Sequence, residues 1–231
     1  MAEHLDLQSL RRLRRQARML RGMLEQFMFV ADSRLALPLI GSNAKQLPLY
    51  TDWSHRPELW RGPLNSKGGV AMASNVELGS EVRLFHDCQT SELTYRQLRN
   101  RSQEDLAPFA LGLEVFRFDG SFLSLSIDFP REACQGLSTR HMVRLDLDVV
   151  LERPITIYAR LNIQHGPNME QVVRELPPEA TDGYVEFDLA YTKLNEKRVE
   201  KLWLDLIFEG VEMNQILLKD LILSRHLRAE I

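Results

Sequence analysis

From residue 121 to residue 208, one segment after another places apolar side chains at every second position. That period constrains the fold class more tightly than composition does. Leu123, Leu125, Ile127 and Phe129 alternate with Ser124, Ser126 and Asp128. Val143, Leu145, Leu147 and Val149 alternate with Arg144, Asp146 and Asp148. Ile155, Ile157, Ala159, Leu161 and Ile163 alternate with Thr156, Tyr158, Arg160, Asn162 and Gln164. Leu202, Leu204, Leu206 and Phe208 alternate with Trp203, Asp205 and Ile207. Successive side chains of a strand point to opposite faces. Each segment therefore predicts a strand with one buried and one solvent-facing side.

Roughly eight such strands at short spacing predict an all-β chain, an antiparallel jelly-roll-like β-sandwich over residues 70–231. Its expected core includes Leu125, Ile127, Leu145, Leu147, Ile157, Leu161, Phe187, Leu204 and Leu206. "LGLEVFRF-DG-SFLSLSIDF" reads as a hairpin, because Asp119-Gly120 suits the two positive-φ positions of a tight turn. "LWLDLIFEGVEMNQILLKDLILSR", residues 202–225, reads as the closing hairpin. "SEVRLFHD" reads as a strand, "SELTYRQLRNRSQEDL" as a short helix or an excursion, and "TKLNEKRVEK" as a short helix.

Two segments precede the sandwich. Residues 1–33 form a basic amphipathic helix. Leu10, Leu13, Ala17, Leu20, Leu24, Phe27 and Ala31 recur at three- and four-residue spacing, with arginines largely elsewhere on the wheel. Gly22 weakens its middle by about 1 kcal/mol relative to alanine. Residues 34–69 lose all periodicity. Pro38, Pro48, Pro57 and Pro63 punctuate this stretch, yet it holds Tyr50, Trp53 and Trp60. A disordered linker is poorer in such residues, so it reads as an irregular ordered strap lying across the sandwich.

The first 30 residues carry six arginines against three acids, while the whole chain has a net charge of −3. The balance of the chain is therefore acidic, and the positive charge sits on the helix. Arg11, Arg14, Arg15 and Arg18 mark it as the contact to a partner. Three partners stay open: the sandwich or a second copy (a homo-oligomer), an anionic membrane surface, and nucleic acid. The last is disfavoured by the absence of any reading motif. With no signal peptide, no long apolar run and only two cysteines, the expected location is cytoplasmic, with a peripheral membrane association as its variant.

The stretches "FHDC", "FDGSFLSLSIDFP", "RLNIQHGPN", "VEFDLAYTKLNEKRVEKLWLDLIFEG" and "DLIFEGVEMNQILLKDLILSRHLRAEI" together resemble an uncharacterised bacterial family built on a domain of unknown function. The resemblance covers most of the chain and brings no activity with it. At the level of fold, the last strands are similar to those of galactose-binding-like and carbohydrate-binding-module sandwiches. That likeness implies a structural role for Asp220 in "LLKDLILS", with a structural calcium as its possible cation. No other cofactor is expected.

No catalytic residue emerges. The six histidines form no helical i, i+4 pair, and there is neither a CxxC nor a G-x-S-x-G elbow. His86 and Cys88 share a strand face, and Cys88 would meet His141 or His165 only through tertiary structure. The outward strand faces offer more. Trp203 and Asp205 on one strand, with Tyr158, Arg160 and Asn162 on another, make an aromatic platform beside planar hydrogen-bonding groups. Arg144 and Asp146 on a third strand join them in this reading. A sugar ring stacks on the aromatic while its hydroxyls take the polar groups. The expected function is non-catalytic glycan binding. The alternative is a structural or envelope-associated interaction protein that acts through the basic helix, with the sandwich as scaffold. A third reading is a hydrolase.

Overall fold

The computed structural model describes residues 6–35, 44–71, 74–177 and 182–228. Part of the predicted strap (36–43) and the first five residues of the predicted helix lie outside that range. The helix forms one compact unit and the β-rich remainder a second.

Helix α1 spans Leu7–Leu35. Its first turn is closed by Asp6, whose carboxylate accepts from Ser9 N at 3.0 Å. An acidic acceptor there satisfies one of the helix's orphan N–H donors. The Ser9 side chain, and then its backbone N–H, hold the Asp6 carboxyl below its ordinary value. Across Gly22, Arg21 and Glu25 pair at 3.3 Å.

The second unit is a sandwich of two antiparallel sheets. Its strands are β1 (Thr51–His55), β2 (Gly68–Val70), β3 (Val76–Glu77), β4 (Val82–His86), β5 (Ser91–Arg99), β6 (Phe109–Phe118), β7 (Leu123–Asp128), β8 (His141–Leu151), β9 (Thr156–His165), β10 (Asn168–Glu175), β11 (Asp182–Asp188), β12 (Val199–Glu209) and β13 (Asn214–Leu227). A short helix, α2, occupies Glu58–Arg61. One sheet has the order β11-β8-β13-β6-β5-β2, with β1 added on β13, and the other has the order β10-β9-β12-β7-β4-β3. From β6 onward every connection crosses between the sheets except the β9–β10 hairpin, which turns at Gly166 with φ 58°. This crossing pattern is the jelly-roll arrangement. The expected core residues all face inward: Leu125, Ile127, Leu145, Leu161, Phe187, Leu204 and Leu206 are fully buried, and Leu147 and Ile157 nearly so.

Two expected hairpins prove to be crossings. β6 and β7 lie in different sheets, and so do β12 and β13. Asp119-Gly120 does not make a mirror-image turn, because Gly120 is not among the glycines with positive φ. Asp119 instead accepts from the backbone of Gln89 and Thr90, both at 3.1 Å. Asp87 in turn accepts from Ser121 N at 2.7 Å and Phe122 N at 3.1 Å. The two arches pin each other, and Gly120 is needed for their close approach. A Cβ there would sit 2.8 Å from Cys88 Sγ and 3.0 Å from its backbone nitrogen. The "SELTYRQLR" stretch is strand β5, not a helix. "TKLNEKRVEK" contains only a single 3-10 turn, Glu196–Arg198, before β12 begins.

The described strap is ordered and largely committed to the seven-stranded sheet. β1 pairs with the second half of β13, from His55↔Leu223 to Thr51↔His226. Trp60 is fully buried and donates Nε1–H to the Leu218 carbonyl at 3.0 Å. Gln97 reaches up from β5 and donates to Leu59 O and Gly62 O at 2.6 and 2.7 Å. Trp53 stacks on Phe129 with ring centroids 5.6 Å apart. Tyr50 is the exception among the strap aromatics, being 70% exposed. The strap also ties to the other sheet's margin, where His55 Nε2 lies 2.8 Å from Glu81.

Asp220 interrupts the apolar run of β13 at a bulge, where pairing with β8 shifts between Leu218 and Asp220. Arg56 of the strap donates Nε and Nη2 to its two oxygens, each at 2.8 Å. The side chains are 9% and 10% exposed, so the pair is desolvated.

Two stability outcomes follow. Leu145→Ala and Leu204→Ala should each cost about 2–5 kcal/mol in chemical denaturation, as large-to-small changes in a filled core do. Arg56→Met should cost about 3–5 kcal/mol, because it strands the Asp220 carboxylate without its cation. Adding Asp220→Leu to Arg56→Met should restore part of that loss. A double variant less stable than Arg56→Met would show that the pair is not what holds the strap.

Candidate functional site on the outer face of the six-stranded sheet

β9 and β12 are neighbours, and their register sets the site. Trp203 lies opposite Asn162, Asp205 opposite Arg160, and Ile207 opposite Tyr158. On the far side of β12, Trp203 lies opposite Asp128 and Asp205 opposite Ser126. Leu202, Leu204, Leu206 and Phe208 are buried in the core, so their alternating neighbours face outward. The five predicted residues, Tyr158, Arg160, Asn162, Trp203 and Asp205, thus share one face. Arg144 and Asp146 do not join them. They stand on β8 in the other sheet, because alternation decides inward from outward and not which sheet a strand enters. There Arg144 holds Asp146 through two bonds, at 3.0 and 2.8 Å, and lies 3.6 Å over the Tyr184 ring.

On this face, burial separates covered side chains from exposed ones. Asn162 is 1% exposed and Asp205 is 7% exposed. Asp205 Oδ2 accepts from Arg160 Nε at 3.1 Å, Arg160 Nη2 at 2.9 Å and Asn162 Nδ2 at 2.9 Å. Asn162 Oδ1 accepts from Gln171 Nε2 on β10 at 2.8 Å. A buried carboxylate is tolerated where it is paired and hydrogen-bonded. The network holds the Arg160 guanidinium in one pose. Asn162 and Asp205, expected as ligand contacts, are therefore scaffolding beneath it.

Beside Trp203 a second network forms, of residues outside the predicted set. Asp128 accepts from Lys201 Nζ at 2.8 Å, and its other oxygen pairs with Arg83 Nη2 of β4. Lys201 Nζ lies 5.3 Å from the Trp203 ring centroid. Lys201 and Asp128 belong to the alternation already visible in their segments. Lys201 stands two residues from Trp203 on β12 itself, and the pairing of β12 with β7, and of β7 with β4, brings Asp128 and Arg83 beside them. The ring is partly exposed. Tyr158 completes the face; its hydroxyl is pushed above its ordinary value by Glu209, then by burial and Glu175, and so stays protonated.

The other reactive groups make local hydrogen bonds and ion pairs. Burial pushes the Cys88 thiol up. Its backbone N–H donates to His86 Nδ1 at 3.2 Å, so His86 and Cys88 form a local turn. His165 Nδ1 accepts from Asn195 N at 3.3 Å. His141 Nδ1 accepts from Ser138 within a tight turn, and its Nε2 lies 3.5 Å from Asp52. Asp52 in turn is held by Arg225 through bonds of 2.9 and 2.8 Å. Burial pushes the Asp52 carboxyl up, and Arg225 outweighs it and holds it below the ordinary range. Among the described residues, no group of three or more His, Cys, Asp or Glu is placed to hold a metal ion. The cation at Asp220 is the Arg56 guanidinium. Among the described residues, no helix is long and apolar enough to cross a membrane.

A family model for proteins of unknown function, DUF6478, matches residues 1–231. The chain belongs to that family. No curated protein sequence matches it. Among solved structures, the DUF6478 chain is similar to a family 11 carbohydrate-binding module of a cellulosomal cellulase from Clostridium thermocellum. There the identity is 10%, the coverage 71% of this chain and 98% of the module, and the TM-score 0.43. A second structure of the C. thermocellum family 11 module, in complex with a β-1,3-1,4-mixed-linked tetrasaccharide, has 9% identity, covers 69% and 96%, and has a TM-score of 0.41. The enzymatically active domain of tailspike protein 4 from bacteriophage CBA120 has 8% identity and a TM-score of 0.43 over 64% of this chain. The match spans about a fifth of that tailspike chain, 20%.

Proposed function

We propose that this DUF6478 protein is a non-catalytic glycan-binding protein, and that the outer face of its six-stranded sheet is the binding surface. The observation that carries this reading is the partly exposed Trp203 ring, set between Arg160 and Lys201, whose poses are held by Asp205, Asn162 and Asp128. A sugar needs an aromatic plane for its apolar face and fixed polar groups for its hydroxyls. Fixing those groups in advance lowers the ordering cost of binding. Tyr158 and Gln171 extend the same surface on either side. Trp203→Ala should abolish glycan binding on an array while shifting the thermal midpoint little, since the ring is outside the core. Binding equal to that of the unaltered protein would sink this reading.

A second reading rests on helix α1. A single helix has no surface of its own to cover its stripe of Leu10, Leu13, Leu20, Leu24 and Phe27, and burial of such a stripe is what stabilises most helices. With Arg11, Arg14, Arg15 and Arg18 beside that stripe, an anionic membrane surface supplies both the charge and the apolar phase. The protein would then act as an envelope-associated interaction protein, with the sandwich as scaffold. It should co-sediment with phosphatidylserine-containing vesicles at low salt and be released as salt rises, because exposed Arg–lipid attraction is screened. No sedimentation at low salt, with a larger mass in solution that is lost on deleting residues 1–33, would assign the stripe to a second copy instead.

A further inference from the structure

We infer that the glycan bound at the Trp203 face is acidic, carrying uronic-acid carboxylates. This rests on the glycan-binding reading above and narrows its ligand class.

The argument starts from which atoms meet solvent. The carboxylates next to Trp203 are turned inward: Asp205 is 7% exposed, and the Asp128 side chain is 22% exposed with both oxygens engaged. Their cationic partners are turned outward: the Arg160 side chain is 38% exposed, that of Lys201 47% and that of Arg83 36%. Around the ring, then, the solvent-facing charged groups are hydrogen-bond donors, and the matching acceptors are spent beneath them. A neutral sugar hydroxyl can donate as well as accept, and half of that capacity finds no charged acceptor here. A carboxylate only accepts, and its bonds to Arg or Lys are the charge-assisted, stronger kind.

Geometry places the charges where a uronate needs them. Lys201 and Asp205 lie two residues before and after Trp203 on β12, about 7 Å to either side at the usual strand rise. Arg160 stands opposite Asp205 on the neighbouring strand. The ring is therefore flanked along the strands by a cation at each end. The carboxylate of a pyranuronate is attached at the edge of the sugar ring. Stacking that ring on Trp203 brings its carboxylate to the margin of the platform, toward Arg160 or Lys201. Lys201 holds Asp128 and the Trp203 face in the unliganded protein, so an incoming carboxylate competes with Asp128 for it. Acidic side chains bound this cationic tract. Glu77 lies opposite Arg83 at one edge, and Glu175 and Glu209 surround Tyr158 at the other. The acidic group is thus confined to the neighbourhood of Trp203.

The test is calorimetry on the full chain with length-matched trimers of galacturonate, glucuronate and mannuronate against trimers of galactose, glucose and mannose. A galactose trimer bearing sulfate esters forms a third arm. At least one uronate trimer should bind about tenfold or more tightly than its neutral counterpart, the step expected for one charge-assisted bond. That advantage should shrink as sodium chloride rises. Lys201→Gln and Arg160→Gln should each reduce the uronate preference toward unity. Arg160→Gln also removes a partner of buried Asp205, so Lys201→Gln, at a half-exposed position, is the variant that decides if Arg160→Gln does not fold. Equal or tighter binding of the neutral trimers overturns the acidic class and leaves glycan binding standing. Tighter binding of the sulfated than of the carboxylated trimers overturns the carboxylate. Failure of all seven trimers overturns the acidic class, and a blank glycan array beside it would remove the glycan reading too.

Discussion

Strand β13 sets the central constraint. It runs for 14 residues through the seven-stranded sheet and needs backbone partners on both edges. β8 serves one edge along nearly its whole length. The other edge is shared, with β6 covering Asn214 to Leu218 and β1 covering Leu223 to His226. Between those two neighbours lies a gap of a few residues, at the bulge. Side chains fill it: Trp60 donates to Leu218 O, Asn100 Nδ2 to Lys219 O, and Arg56 to Asp220. The strap is thus part of the sheet's hydrogen-bond closure. Without it, a central strand would carry unpaired carbonyls and a buried carboxylate, both costly in a low-dielectric interior.

That commitment explains why the two outer faces differ. The strap spends Trp60, Arg56 and β1 on the seven-stranded sheet. On that sheet Asp146 and Ser224 are buried at 3% and 0% exposure, although their strands alternate as if these positions met water. On the six-stranded sheet Asn162 and Asp205 are buried too, but Trp203, Arg160 and Lys201 above them keep part of their surface. Trp203 there sits among groups already paired with one another, so under the proposed binding reading the polar partners are fixed in advance. The same residue pattern, apolar inside and polar outside, gives on one sheet a face where Lys45 of the strap reaches Asp146 at 3.5 Å, and on the other a face where Trp203 stays partly exposed.

Much of this was legible in the sequence because a period of two fixes the face of each side chain. The core positions from Leu125 to Leu206 follow from alternation alone, and so does the outward direction of Tyr158, Arg160 and Asn162 on one strand and of Trp203 and Asp205 on another. What alternation does not encode is the sheet a strand joins. The inner faces of both sheets demand the same apolar residues, so Arg144 and Asp146 looked like neighbours of Trp203. The Asp119-Gly120 pair misled for a related reason. Aspartate and glycine suit a tight turn, but they also suit an arch in which the carboxylate caps another loop's N–H groups and the missing Cβ admits Cys88. Arg56 and Asp220 are 164 residues apart in the chain. No local pattern marks such a pair; only the demand that a charge inside an apolar strand find a partner pointed to it.

The same demand links the fold to the site. A sheet face built from alternating strands must place its polar residues outward, and each carboxylate among them either meets water or meets a cation. Near Trp203 the carboxylates are the shorter side chains, Asp128 and Asp205. Their partners are the longer ones, Arg83, Arg160 and Lys201, which lie over them with their charged ends toward solvent. Short acids beneath long bases leave a cationic rim on a chain whose net charge is −3. The sign of the surface at this site is therefore set by side-chain length and register rather than by composition. A whole-chain charge count gives the opposite sign.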